Sequence, residues 1–125
     1  DRTKLKEYVD AANKVIMGTG GTPEIPLQIG QGTGGTMELT QPSPLWGKGD
    51  GVMLAGDVRT LARQYCAKGV PVQHKEYGTS HFVTMVSWMP WASAWIDDRF
   101  AGKAAPQNCS SIAVGNPLTP LTYNP

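Results

Sequence analysis

Val70-Pro71-Val72-Gln73-His74-Lys75-Glu76-Tyr77-Gly78-Thr79-Ser80-His81 reads as a strand over 70–77, a glycine turn, and a histidine that opens a helix. Val70 and Val72 fall on one face of that strand. The same order stands upstream. Ile25, Leu27 and Ile29 alternate as in a short strand over 25–31, and Gly49-Asp50-Gly51-Val52-Met53 leads into a second helix. With a helical pattern at the N-terminus, the order is helix, strand, helix, strand, helix. Short strands alternating with helices pair in parallel through crossover connections, so the expected class is α/β, with few parallel strands and flanking helices. Two parallel strands alone make a poor sheet, because parallel sheets are covered on both faces and continued at both edges. The pattern therefore predicts part of a larger sheet.

Working outward, Leu5, Tyr8, Val9, Ala12, Val15 and Ile16 recur at helical spacing over 3–17, with Gly18 as the stop. Over 52–68, Leu54, Val58, Leu61, Ala62 and Tyr65 form an apolar stripe, and Gly69 takes the position just past the helix end. Over 81–100, Phe82, Met85, Val86, Met89, Ala92, Trp95 and Ile96 give a wide apolar face, which Pro90 is predicted to kink or split. Met85, Trp88 and Trp91 read as core. Pro26, lacking an N–H, suits a strand edge better than its centre. The loop over 31–51 is glycine-rich and apolar. It reads either as a self-packed surface loop or as the wall of a site for an apolar ligand, with Met37, Leu39, Leu45 and Trp46 as its lining. From Ala101 onward the composition predicts a tail lying on the surface, pinned at Cys109.

The composition, 40% hydrophobic and 17% charged, is that of an ordinary globular domain, and the net charge of +1 gives no footprint for nucleic acid. No apolar run approaches a membrane span, and no basic-then-apolar leader stands at the start. The abrupt start in a helical pattern is what a mature, cleaved or truncated chain shows. Cys66 and Cys109 match neither a Cys-x-x-Cys pair nor a zinc cluster. They are a disulfide in an exported chain or two buried thiols in a cytosolic one. No metal-ligand spacing and no cofactor motif are present.

Ligands of open α/β sheets bind beyond the carboxyl ends of the strands, where Asp50 and His81 both fall on neighbouring loops. A carboxylate beside a histidine fixes its tautomer and stabilises the imidazolium, as in a hydrolase triad. The plainer alternatives are a turn or helix-capping role for Asp50 and a helix-start role for His81, with Ser80 as the cap. His74 reads as a half-exposed strand residue. No Gly-x-Ser-x-Gly elbow occurs, Ser80 is adjacent to His81, and Cys66 lies near a helix end away from both loops. Read as an acid–histidine pair, Asp50 and His81 would be two thirds of a triad.

Several segments carry a family likeness: Pro26-Leu27-Gln28-Ile29-Gly30-Gln31-Gly32-Thr33, Gly49-Asp50-Gly51-Val52-Met53, the run from Ala62 to Val72, and Trp95-Ile96-Asp97-Asp98-Arg99-Phe100-Ala101-Gly102. Together they resemble the C-terminal part of secreted α/β-hydrolase lipases, the secretory lipase family of fungal and actinobacterial enzymes. The resemblance implies a secreted serine lipase or esterase acting on acylglycerol-type esters, with Asp50 as triad acid and His81 as triad histidine. The nucleophile serine would then lie in an N-terminal part of the same enzyme. It also implies a Cys66–Cys109 disulfide, worth about 3–4 kcal/mol through the loop it closes. Residues 1–24 would be a helix and linker from the cap or lid junction, 25–109 the C-terminal part of the hydrolase core, and 110–125 an irregular tail. Two departures stand out, the first being that the family's nucleophile serine and oxyanion-hole donors lie N-terminal to everything present here, and the second concerning the acid loop. The loop over 34–48 is longer than the family's Gly-Thr-x-Asp turn, and Gly35 stands where the family often has an acid; Glu38 is a weaker second choice beside Asp50. The alternative function is a non-catalytic binding module that retains the hydrolase architecture, and a homodimer across the sheet edge is one way to cover that edge.

Overall fold

The computed structural model describes residues 2–16, 21–35 and 44–123. Five elements follow one another: α1 (Arg2–Lys14), β1 (Leu27–Gly32), α2 (Ala55–Ala67), β2 (Val72–Tyr77) and α3 (His81–Phe100), followed by a 3-10 turn at Cys109–Ser111. The strands pair in parallel, from Leu27 opposite Val72 to Gly32 opposite Tyr77. Pro26 stands just ahead of β1, so its missing N–H falls outside the ladder, which opens with Leu27 N donating to Pro71 O at 2.9 Å.

Strand alternation sorts the side chains between two helices. Leu27, Ile29 and Val72 pack toward α2, where Ala62, Val70, Val72 and Ile112 form the buried core with Tyr65, Cys66 and Cys109 against it. Gly30, on the other face of β1, lies under Trp88 of α3 so closely that a Cβ there would stand 2.6 Å from the indole. Gly69, at φ +85°, ends α2 in the left-handed conformation that glycine adopts without steric cost.

Four expectations need correction. The apolar stripe of α1 is packed only in part: Leu5, Tyr8 and Val15 are exposed, Val9, Ala12 and Ile16 are half-buried, and an amide–backbone pair between Asn13 and Leu121 ties this helix to the tail. Pro90 does not split α3, which runs unbroken through it; Pro90 and Val86, whose carbonyl loses a donor there, are both exposed. His74 is buried rather than half-exposed, since it shares the α2-facing side of β2 with Val72. The tail is structural. Ile112 enters the core, and Asn108 pairs with the outer edge of β2: its N donates to Val72 O at 2.9 Å, its Oδ1 accepts from His74 N at 2.8 Å, and its Nδ2 donates to His74 O at 2.8 Å. A side chain there does the work of a third strand. Cys66 and Cys109 are disulfide-bonded, which removes Cys66 as a nucleophile.

Candidate active site

The loops after β1 and β2 meet at the carboxyl end of the sheet. Gly32 ends β1 where three neighbours converge: a Cβ at this position would lie 2.5–2.6 Å from Thr79 O, Asp50 Cβ and Thr84 Oγ1. Only a residue without a side chain lets the strand end approach both loops. The segment between Gly35 and Asp50 is an excursion whose two ends close on each other, with Gly35 bridged to Asp50 and Gly35 N donating to Gly49 O at 3.1 Å. A Cβ on Gly35 would overlap Asp50 O. Asp50 therefore stands directly beside Gly35 despite their distance in sequence. Glu38, like Met37 and Leu39, lies outside the described residues.

Asp50 and His81 are joined twice. His81 N donates to Asp50 O at 2.8 Å, and His81 Nδ1 stands 2.8 Å from Asp50 Oδ2. The other carboxylate oxygen, Oδ1, accepts from Val52 N at 2.9 Å and Met53 N at 2.7 Å. The turn role and the histidine-partner role thus coexist, one on each oxygen. α2 itself starts later, at Ala55, with no side-chain cap. Ser80 holds the cap position of α3 but also makes no side-chain cap bond, and Thr84 N donates to its carbonyl instead.

The electrostatics fit a working acid–histidine pair. The Asp50 side chain is 2% exposed and that of His81 43%. Burial works against the Asp50 charge, but the hydrogen bonds from Met53 N, His81 and Val52 N together outweigh it and hold the carboxyl below its usual range. The ionised carboxylate keeps the proton on Nδ1 of His81, which leaves Nε2 as the basic nitrogen.

Beside the pair is a cavity of about 230 Å³ lined by Gly30, Asp50, His81, Thr84, Met85 and Trp88. Trp88 lies over Gly30 and lines this cavity, whereas Met85, which also lines it, is exposed rather than core as the sequence suggested. Leu45 and Trp46 are exposed on the approach to Asp50 and do not line the cavity. Sequence reasoning missed Gln31 and Thr84, both buried polar residues. Thr84 Oγ1 lies 2.8 Å from Thr79 Oγ1 and braces the histidine loop against α3. A polar side chain at the last inward position of β1 was the available signal for Gln31. Among the described residues, no serine or threonine hydroxyl is hydrogen-bonded to the His81 ring, and no three His, Cys, Asp or Glu side chains gather as metal ligands. No helix among them is long and apolar enough to cross a membrane.

A parallel α/β unit with a carboxylate and an imidazole joined across its two carboxyl-end loops belongs to the α/β class in which hydrolase sites are built. The sequence model of the secretory lipase family matches residues 45–108, just over half of the chain, and the chain belongs to that family. The family has the α/β-hydrolase fold, and its name places it among secreted enzymes of lipid ester hydrolysis. No curated protein and no solved structure matches the chain.

Proposed function

We propose that this chain supplies the acid and the histidine of a serine lipase or esterase acting on acylglycerol-type lipid esters, while the nucleophile serine comes from an N-terminal segment of the same enzyme. The observation that carries this is the pair of bonds between Asp50 and His81, with Nδ1 of the ring committed to the carboxylate. Nε2 of His81 takes the serine proton as Oγ attacks the ester carbonyl, and Asp50 stabilises the imidazolium that forms. The imidazolium then gives that proton to the leaving alcohol. Water repeats the sequence on the acyl-enzyme, with His81 as base and then acid, and releases the fatty acid.

Two features support a serine-bearing segment on one particular side. Among the described residues, β1 has no strand on its outer edge. The adjoining α3 exposes Phe82, Val83, Met85, Val86 and Met89. A further parallel strand on β1 would place its own carboxyl-end loop next to Asp50 and His81 and would cover that edge. Leu45 and Trp46, with Met37 and Leu39 on the same loop, are proposed to contact the acyl or alcohol part of the substrate. Secretion is part of the same proposal, and the Cys66–Cys109 disulfide suits it. The test is turnover of a fatty-acyl ester by the complete enzyme. His81→Ala is expected to lower kcat by roughly three to six orders of magnitude, whereas near-normal turnover would remove His81 from the chemistry.

A further inference from the structure

Gln31 stands where strand alternation calls for an apolar side chain. Leu27 and Ile29, four and two residues earlier on the same face, pack into the α2 core. Gln31 is instead a primary amide at 3% exposure. An amide buried there is strongly unfavourable unless it is hydrogen-bonded, so its partners explain its presence. Its Nε2 donates to Gly32 O at 2.8 Å and to Asp50 Oδ2 at 3.0 Å. Both partners are acceptors, which identifies the end of the amide that faces them as the amino end.

The Asp50 carboxylate then has four donors on its two oxygens: Val52 N and Met53 N on Oδ1, Gln31 Nε2 and His81 Nδ1 on Oδ2. An ionised carboxylate offers about four lone-pair sites, so the set is complete. A protonated carboxyl would set its own hydrogen against one of these donors. The backbone donors hold Oδ1 only. Among the described residues, Gln31 is the one group besides His81 that grips the catalytic-side oxygen, and it reaches that oxygen from the strand rather than from a loop.

We infer that Gln31 is a positioning residue for this site: its side-chain amide fixes the Asp50 carboxylate so that Oδ2 stays aligned on His81 Nδ1 and only the ionised acid fits. The inference rests on the catalytic role proposed above for the Asp50–His81 pair. It assigns Gln31 no contact with substrate, so its loss acts on kcat and leaves KM in place.

Gln31→Met keeps length and approximate volume and removes the donor. In the complete enzyme it is expected to lower kcat by about 10- to 100-fold, the usual effect of losing a buried hydrogen bond to a charged group, with KM unchanged. Nitrogen-15 spectra of labelled histidine should show His81 moving from the Nδ1–H tautomer toward a mixture with Nε2–H. A folded Gln31→Met enzyme with unchanged kcat and unchanged tautomer overturns the inference. A merely structural glutamine would lower stability without moving the tautomer, and that outcome overturns it too. A second measurement uses the unmutated enzyme and applies even where the variant does not fold. The Gln31 side-chain amide resonance should shift with the protonation of Asp50 at low pH and stay put above it; an amide that does not follow that transition contradicts the assignment. Failure of the catalytic reading looks different: His81→Ala would retain turnover while the Gln31 amide still followed Asp50.

Discussion

The two edges of the small sheet are finished differently. On the β2 side the chain completes its own structure: Asn108 pairs with the strand's outer backbone, Ile112 fills the core, and the Cys66–Cys109 disulfide ties the tail to α2. Asn116 extends the clamp, with its Nδ2 reaching Asp57 Oδ1 at 2.8 Å and Trp46 O at 2.9 Å on the way into the acid loop. On the β1 side, no strand covers the edge among the described residues, and α3 turns Phe82, Val86 and Met89 to solvent. The buried polar atoms without a partner divide the same way. Among the described residues, Gln28 Oε1, Trp88 Nε1, Trp95 Nε1 and Arg99 Nε and Nη1 belong to β1 and α3, and His74 Nε2 to β2. Polar groups are paired where the chain supplies its own cover. The acid–histidine pair sits between a clamped side and an open one, which is why the proposed serine-bearing segment is placed against β1 and α3.

The contrast makes graded predictions. Its largest effect is on the clamped side. Replacing Cys66 and Cys109 together with serine is expected to lower stability by about 4 kcal/mol, from the entropy of the 43-residue separation they close. Denaturant unfolding measures this, and a loss near zero would mean that the tail is held without the bond. Asn108→Ala comes next, with a cost of roughly 1–3 kcal/mol, because it leaves the N–H and carbonyl of His74 without their partner. An unchanged unfolding midpoint would show that this edge needs no clamp.

His74 predicts a pH dependence on the same side. Burial lowers its folded pKa, the Glu76 charge opposes that shift, and Arg59 reinforces it. Below the unfolded value of 6.5 the unfolded chain binds the extra proton more readily than the folded one. The stability contributed by neutral His74 is therefore present above 6.5 and is lost as the pH falls from there through the lower folded value. Melting temperatures from pH 7.5 to 5 should decline, and His74→Met should flatten that decline; an equal decline in both would clear His74. The smallest effect belongs to the open side. Val86→Lys or Met89→Lys should change the stability of this chain by no more than about 0.5 kcal/mol, because these positions are exposed, and should weaken turnover only in the complete enzyme. A large loss in this chain alone would mean that the α3 face is already covered.

Parts of this were legible in the sequence because they rest on local rules. α3 spans His81–Phe100 as the apolar run after Ser80 predicts, and Gly69 ends α2 where its position promised. The meeting of Asp50 with His81 was legible because both lie on loops that follow the strands at their carboxyl ends. The clamp was not. Asn108 reaches His74 across 34 residues and Asn116 reaches Asp57 across 59, and contacts of that kind leave no periodic trace. Gln31 escaped for a related reason: alternation identifies an inward position but not the carboxylate that an inward amide will meet. The partly exposed stripe of α1 shows the limit of periodicity, which predicts an apolar face but not the surface that receives it.

We propose that Asp50 and His81 are one part of a serine hydrolase site whose nucleophile lies outside these 125 residues. A fluorophosphonate probe followed by mass-spectrometric mapping tests it most directly. The expected result is no adduct on the 125-residue chain alone, an adduct in the complete enzyme on a serine outside this sequence, and loss of that adduct in His81→Ala. An adduct on a serine of this chain, or labelling of the complete enzyme that His81→Ala leaves intact, would contradict it.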